Sequence, residues 1–194
     1  AALVKTDTTT QGTWKAVYGA DGQAIPNDVT NYPRYAQVAM TGQLLFTWLT
    51  STTDVRAPQK GLTADRIVSA WYSSTSFNID INLTDGLPHQ VALYCLDWDG
   101  ANTRADRIDV LDPATGLVLA SSPVTAFSAG QYLVWNLSGH VTLRVTRTGA
   151  LNGLMSGLFF DGALAPPPVL PTVTPATGVT GTTVPLTLTG TSLT

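Results

Sequence analysis

The sequence predicts an all-β protein, a two-sheet antiparallel β-sandwich of jelly-roll type. The first observation is composition: only 12% of the 194 residues are charged, while Thr, Val, Leu, Gly and Pro are abundant. Such a composition favours strands and turns over surface helices. The second is a series of about eleven short apolar or alternating runs between turn residues, the spacing typical of a sandwich. The third is that no segment keeps a helical period for three turns, so we expect almost no helix.

The candidate strands follow one another from residue 14 to residue 161. Residues 77–84 alternate between apolar and polar without a fault, as in a strand with one wet face, and Asp85-Gly86 closes this run as a turn. Residues 90–98 are apolar on both faces, which predicts a central strand covered on each side. The remaining runs are residues 14–18, 36–40, 44–49, 67–72, 107–111, 117–120, 131–137, 141–146 and 154–161.

A change of composition after residue 163 divides the chain into three predicted parts. Residues 1–164 form the sandwich module, residues 165–171 (APPPVLP) a stiff Pro-rich linker, and residues 172–194 an extended tail or a fragment of an immunoglobulin-like domain. Within the tail, residues 183–189 alternate like a strand. A lone strand cannot satisfy its own backbone, so we expect it to pair with this sandwich or with a neighbouring copy. Val184, Leu186 and Leu188 would then point into the acceptor.

Charge and cysteine content exclude several classes of function. The net charge is −3 and the ten basic residues are scattered, so we expect no nucleic-acid partner. No apolar run approaches the ~20 residues that span a bilayer, so we expect no membrane insertion. The single cysteine, Cys95, lies in an apolar run and is predicted to be a buried free thiol. A Lys-poor surface rich in Thr, Ser, Asn and Gly, and the Ala1-Ala2 start, favour a secreted or cell-surface bacterial protein.

Aromatic side chains are the first candidates for a ligand site, since their apolar faces can pack against sugar rings. The five Trp residues all lie inside strand runs, and we expect most of them in the core. Tyr18, Tyr32 and Tyr35 lie in loop-like sequence, with Asp21 and Arg34 nearby as hydrogen-bonding groups. This group predicts a stacking platform for a glycan, and an ordered surface loop without a ligand is the alternative.

A cluster of oxygen-bearing side chains follows the predicted central strand. Asp97 and Asp99 lie on the same face of the strand end, and Asn102 comes just beyond. Oxygen ligands at this spacing could hold Ca²⁺. The alternative is a polar turn in which Arg104 and Arg107 neutralise the carboxylates.

The sequence contains few candidate catalytic groups, and it predicts a protein that is not an enzyme. His89 and His140 each begin a strand after a turn, where we expect exposed edge positions rather than a catalytic dyad. No zinc-protease, nucleophile-elbow or phosphate-loop motif is present in the sequence. A glycosidase pair would have to come from the aspartates at turns and strand edges, namely Asp97, Asp99, Asp106, Asp109 and Asp161.

Several segments together resemble a known class of module. They are residues 10–14 (TQGTW), 18–22 (YGADG), 82–86 (NLTDG), 92–94 (ALY), 96–99 (LDWD) and 156–161 (SGLFFD). The series resembles the β-sandwich modules of carbohydrate-binding or galactose-binding-like type that are appended to secreted bacterial glycan-acting and surface proteins. The resemblance implies a polysaccharide partner and, in many such modules, a structural Ca²⁺. Residues 172–190 are similar to the opening of an IPT/TIG immunoglobulin-like domain.

Two functions follow from these observations. The first is a non-catalytic extracellular glycan-binding module of a multidomain protein. The alternative is a structural subunit of an extracellular filament, polymerised by donating residues 183–189 to a neighbouring subunit. A head-to-tail contact of that kind forms a filament when it does not close into a ring.

Overall fold

The structure is a computed structural model that describes residues 1–164, 169–174, 183, 185 and 187–191. The chain divides into two compact units, Ala1–Ala163 and Leu164–Thr194. Every regular element among the described residues is a β-strand, as the low charge and high Thr and Val content predict. Those residues include no helix with the length and apolar character that a membrane crossing requires.

The first unit is built from three antiparallel sheets. Its strands are β1 (Ala2–Asp7), β2 (Gly22–Ala24), β3 (Thr30–Asn31), β4 (Ala36–Thr41), β5 (Leu44–Thr52), β6 (Arg66–Ser73), β7 (Ser76–Leu83), β8 (His89–Cys95), β9 (Ala105–Leu111), β10 (Val118–Thr125), β11 (Gln131–Leu137), β12 (His140–Arg147), β13 (Gly153–Met155) and β14 (Gly157–Ala163). The central sheet has the order β1-β11-β8-β14-β2-β3, the facing sheet β10-β9-β12-β7-β4, and the short sheet β13-β6-β5.

The main core lies between the central and facing sheets. Phe77, Ile79 and Ile81 point inward from β7, and the residues between them are half-buried, so the predicted alternation is confirmed. Across the gap they share one apolar cluster with Leu93 of β8 and Trp135 of β11. Burial of these two facing layers is the main favourable contribution to the stability of a sandwich. The molecule therefore has the predicted all-β sandwich fold.

The outer face of the central sheet is also buried. Tyr94 and Tyr132 point outward from it and pack against Trp14 and Tyr18, which come from the segment before β2. This second core explains why β8 is apolar on both faces, as predicted for a covered central strand. Cys95, at the end of β8, is a buried free thiol, as predicted.

The first predicted strand is wrong. Residues 14–18 form a turn in which the amides of Val17 and Tyr18 donate to the carbonyl oxygen of Trp14 at 3.0 and 2.8 Å. Ala16 has a positive φ of 67°, which a strand does not permit. The apolar side chains of this run reach the second core from the turn, so its pattern reflected burial without strand structure.

The second unit contains two paired strands, β15 (Val169–Thr174) and β16 (Thr187–Thr191), with Val173 opposite Leu188. The predicted tail strand therefore overlaps β16, and its described pairing is with residues 169–174 of the same unit. Of the predicted interface residues, Val184 and Leu186 lie outside the described residues. Donation of this strand to a neighbouring subunit stays a prediction.

Gly130 is expected to be intolerant of substitution. Its φ is +88°, and a Cβ built there would lie 1.8 Å from the hydroxyl oxygen of Tyr94. The Gly130→Ala variant should lose about 2 kcal/mol of unfolding free energy, from backbone strain and overpacking. Chemical denaturation measures this loss. Gly86→Ala is the matched control, since Gly86 has a φ of +75° and no atom of the described residues lies within 4 Å of its Cβ position. An equal loss in both variants would contradict the steric part of the effect.

Candidate functional site

A cleft of about 290 Å³ opens beside the short sheet, where the sheet meets the loop between β8 and β9. Three aromatic and three polar side chains line it, namely Phe46, Trp48, Tyr72, Asp99, Arg104 and Asn152. Phe46 and Trp48 come from β5 and Tyr72 from β6, while Asp99 and Arg104 come from the β8–β9 loop. The cleft thus combines an apolar platform with charged and amide groups.

Phe46 and Trp48 form the platform of the cleft. The Phe46 side chain is 48% exposed, and its ring meets the indole of Trp48 edge-on at 4.9 Å between centroids. Tyr72 lies opposite Leu44 across the β5–β6 pair, and Ala70 lies opposite Phe46. Because side chains alternate along a strand, Leu44, Phe46 and Tyr72 share one face of the short sheet. That face presents aromatic surface to solvent.

The polar side of the cleft is a chain of charge-assisted contacts. The indole N–H of Trp48 donates to Asp99 Oδ2 at 2.9 Å, which fixes the orientation of the ring. Arg104 Nη1 donates to Asp99 Oδ1 and to Asp97 Oδ1. A Cβ on Gly100 would lie 2.1 Å from Asp97 Oδ1, so glycine is required where the loop closes over this pair.

The three charged side chains of this hydrogen-bonded network differ in their exposure to solvent. Asp97 is fully buried and Arg104 nearly so, whereas the Asp99 side chain is 48% exposed. Burial alone would raise the pKa of Asp99, but hydrogen bonds from Trp48 and Arg104 hold it below its usual value. Asp99 is therefore a carboxylate at neutral pH, and it can accept hydrogen bonds from a ligand in the cleft.

Tyr18 does not lie in this cleft, and the expectation that its ring is exposed is wrong. Its side chain is buried in the second core, stacked on Tyr132 at 4.5 Å. The hydroxyl group donates to Asp7 Oδ2 at 2.7 Å. Burial, together with this bond and the nearby Asp7 charge, raises the pKa of Tyr18 far above its usual value. A ring held in this way offers no face to a sugar.

The other residues of the predicted platform lie near the end of β14. Tyr35 donates to Asp21 Oδ2 at 2.8 Å, and its ring stacks on His89 at 3.7 Å. His89 is buried beneath this ring, so its predicted exposure is wrong. Tyr32 is half-buried and Arg34 is exposed. A glycan contact by Tyr32, Arg34, Tyr35 or Asp21 stays a prediction.

The predicted calcium ligands have protein partners. Arg104 bridges Asp97 and Asp99, and Asn102 Oδ1 accepts the backbone N–H of Ser128 at 2.8 Å. Among the described residues there is no cluster of three His, Cys, Asp or Glu side chains placed to hold a metal. Arg104 neutralises the two carboxylates, as the alternative of a polar turn expects. Arg107 takes no part in this, because it pairs with Asp109. Calcium binding stays a prediction, and an ion between the two carboxylates would have to displace Arg104.

The five candidate catalytic aspartates do not converge on the cleft. Asp97, Asp106 and Asp109 are buried, and Asp161 lines a separate surface depression. Asp99 is the one that lines the aromatic cleft. A glycosidase needs two carboxyl groups flanking one bond, and these five side chains do not provide such a pair at the cleft.

Sequence reasoning missed the residues that build the cleft: Phe46, Trp48, Tyr72, Arg104 as a lining residue, and Asn152. Of the five Trp residues, Trp14 and Trp135 are buried. The other three, Trp48, Trp71 and Trp98, are half-buried, so the expectation that most of them are core residues holds for two of five. The available signal was the uncharged run at residues 44–49, which is apolar on both faces and was interpreted only as a strand.

No protein-family model matches the sequence, and neither does any curated protein. A family 35 carbohydrate-binding module from Clostridium thermocellum shares 16% identity with a TM-score of 0.39, over 65% of this chain and 92% of the module. A second one, from Paenibacillus barcinonensis, has the same identity and TM-score over 65% and 93%. The module TmCBM61, solved in complex with β-1,4-galactotriose, shares 10% identity with a TM-score of 0.35 over 65% and 87%. These solved structures are similar to this chain, and its ligand has to be inferred from its own residues.

Proposed function

We propose that the first unit is a non-catalytic glycan-binding module of a secreted or surface protein, and that the aromatic cleft is its binding site. One observation carries this proposal: the exposed Phe46 ring and the half-buried Trp48 ring lie beside the polar groups of Asp99, Arg104 and Asn152. A sugar ring has apolar C–H faces and a rim of hydroxyl groups. It therefore suits a site with an aromatic platform and a few hydrogen-bonding groups at its edge.

The proposed ligand is an uncharged sugar chain. Two carboxylates, Asp97 and Asp99, face one guanidinium, Arg104, so the network has one net negative charge. A glycan carrying carboxylate or sulfate groups would meet repulsion from the exposed Asp99. The hydroxyl groups of a neutral sugar can donate to Asp99 without that cost. The volume of the cleft, about 290 Å³, suits a short stretch of such a chain.

Replacing Trp48 with Ala should weaken binding of a neutral glycan at least about tenfold, because the stacking surface is lost. Affinity electrophoresis in gels containing neutral polysaccharides, followed by calorimetry with oligosaccharides, measures the change. Tyr32→Ala is the comparison variant, since Tyr32 belongs to the platform near β14 and does not line the cleft.

Two outcomes would contradict the proposal. Loss of binding in Tyr32→Ala with normal binding in Trp48→Ala would move the site to the platform near β14. Retention by acidic polysaccharides in preference to neutral ones would contradict the assignment of ligand charge.

A further inference from the structure

The exposed edges of the three sheets are protected in different ways, with one exception. β1 carries Lys5 and a register shift, and β10 carries Pro123. β3 and β13 are two and three residues long. β4 turns only Gln37, Ala39 and Thr41 outward. Charges, proline, irregular pairing and short length are the devices that keep edge strands from pairing with other chains.

β5 is the exception. It is nine residues long and, among the residues that the structure describes, lies at the edge of the short sheet. Leu44, Leu45, Phe46 and Leu49 are each between 42% and 59% exposed, so apolar surface is present on both faces of the strand. Residues 35–53 contain no charged side chain. An apolar, uncharged edge of this length is a site where another strand can add.

Part of β5 is better suited to pairing than the rest. Residues 44–47 pair with β6 in unbroken register, whereas the register shifts between Thr47 and Leu49 and again between Leu49 and Thr52. These irregularities distort the outer edge of the second half of the strand. The regular first half therefore offers the straight backbone that a partner strand needs.

We propose that the regular first half of β5, residues 44–47, pairs antiparallel with the same segment of a second copy of this chain, giving a two-fold symmetric dimer. One residue of the segment lies opposite its own copy on the two-fold axis, so that paired side chains share a face of the sheet. An uncharged segment offers nothing to a partner recognised by charge, and it meets its own copy without repulsion. Two copies of one strand related by a two-fold axis normal to the sheet are antiparallel, which matches the pairing throughout this fold. The dimer joins the two short sheets into one continuous sheet, in which Leu44 and Leu45 of one copy pack beside the side chains of the other copy.

The symmetry places both clefts on one side of the dimer. A two-fold axis normal to the sheet leaves the Phe46 and Tyr72 face of each copy pointing in the same direction. A long polysaccharide could then contact both clefts, and linked binding sites raise the overall affinity for a polymer. This consequence rests on the proposed glycan function, whereas the dimer itself does not.

Sedimentation velocity over a concentration series of the full chain tests the dimer. Leu45→Lys places a charge on the regular part of β5, on the face opposite Phe46, and so leaves the cleft lining unchanged. Leu119→Lys is the matched control, because Leu119 is 44% exposed on the edge strand β10. We expect wild type and Leu119→Lys to dimerise as concentration rises, and Leu45→Lys to remain monomeric.

Hydrogen exchange on the wild-type chain gives a second measurement that does not depend on any variant folding. The amides of residues 44–47 should exchange more slowly at high protein concentration than at low concentration. A monomeric wild type at every concentration would overturn the proposal, as would equal dissociation by both Lys variants or dimers that persist in Leu45→Lys. Loss of glycan binding with an intact dimer would overturn only the proposed function.

Discussion

Replacing Asp97 with Ala is expected to lower the free energy of unfolding by about 3–5 kcal/mol. The Arg104 side chain is only 8% exposed, and Asp97, its buried partner, is fully inaccessible. Without Asp97 the guanidinium keeps its charge in the interior, and Asp99, which is half exposed, is its remaining ion-pair partner. Within the described part of the chain Arg104 Nε already has no hydrogen-bond partner, so the site has little capacity to compensate. Chemical denaturation at neutral pH measures the loss.

Asp99→Ala is the matched control for this prediction. Its side chain is 48% exposed, so its ion pair with Arg104 is screened by water, and the expected loss is about 1 kcal/mol or less. Equal losses in the two variants would show that burial of Asp97 does not matter.

The same samples test calcium binding. If Arg104 supplies the counter-charge, EDTA should leave the unfolding midpoint unchanged, and a midpoint that falls with EDTA and recovers with Ca²⁺ would show a bound ion.

Stability is expected to fall as pH rises from about 4 to about 7, because of one carboxyl group in the core. Asp106 is fully buried, and its Oδ2 accepts the amide N–H of Leu154 at 3.1 Å. Its Oδ1 has no hydrogen-bond partner among the residues described. Burial raises its pKa from 3.8 to about 7, although the Leu154 bond and Arg104 oppose the shift. The folded state therefore keeps this proton up to about pH 7, whereas the unfolded state releases it near 3.8. Between these values the folded state binds more protons, so rising pH favours unfolding.

The contribution of the protonated Asp106 to the free energy of unfolding is fully present below pH 3.8 and is lost above about pH 7. The difference corresponds to about 4 kcal/mol. Asp106→Asn cannot ionise and can still accept from Leu154, so its stability should lack this decline. Unfolding free energies of both proteins between pH 4 and 8 provide the comparison, and the difference between them removes every contribution that the two proteins share. Parallel profiles would show that Asp106 ionises at an ordinary pH.

The fold was predictable where side-chain pattern alone determines burial. β7 alternates because one of its faces is covered, and β8 is apolar throughout because both of its faces are covered. The short strands β2 and β3 could not be predicted in this way, because two or three residues cannot show a periodic pattern. The run at residues 154–161 is split at Ser156 between two sheets, which a continuous apolar pattern conceals.

The candidate site was less predictable, because similar sequences occupy opposite environments. Residues 44–49 of β5 and residues 90–95 of β8 are both apolar on two faces, yet β8 lies inside the central sheet and β5 at an edge. Only the position of each strand in its sheet distinguishes β5 from β8, and that position depends on contacts between residues distant in sequence. The role of Arg104 is ambiguous in the sequence for the same reason, since the spacing permits both an ion pair and a calcium site at Asp97.

The order of strands in the central sheet also determines when this chain can fold. Ala2 lies opposite Asn136, and Leu158 lies opposite Ala24, so the first strands find their partners only near the end of the unit. A high contact order of this kind slows folding to milliseconds or seconds. A nascent chain emerging from the ribosome would lack the middle of its largest sheet until β14 is synthesised. Such a chain stays available to chaperones, or to a translocation channel, for most of its synthesis.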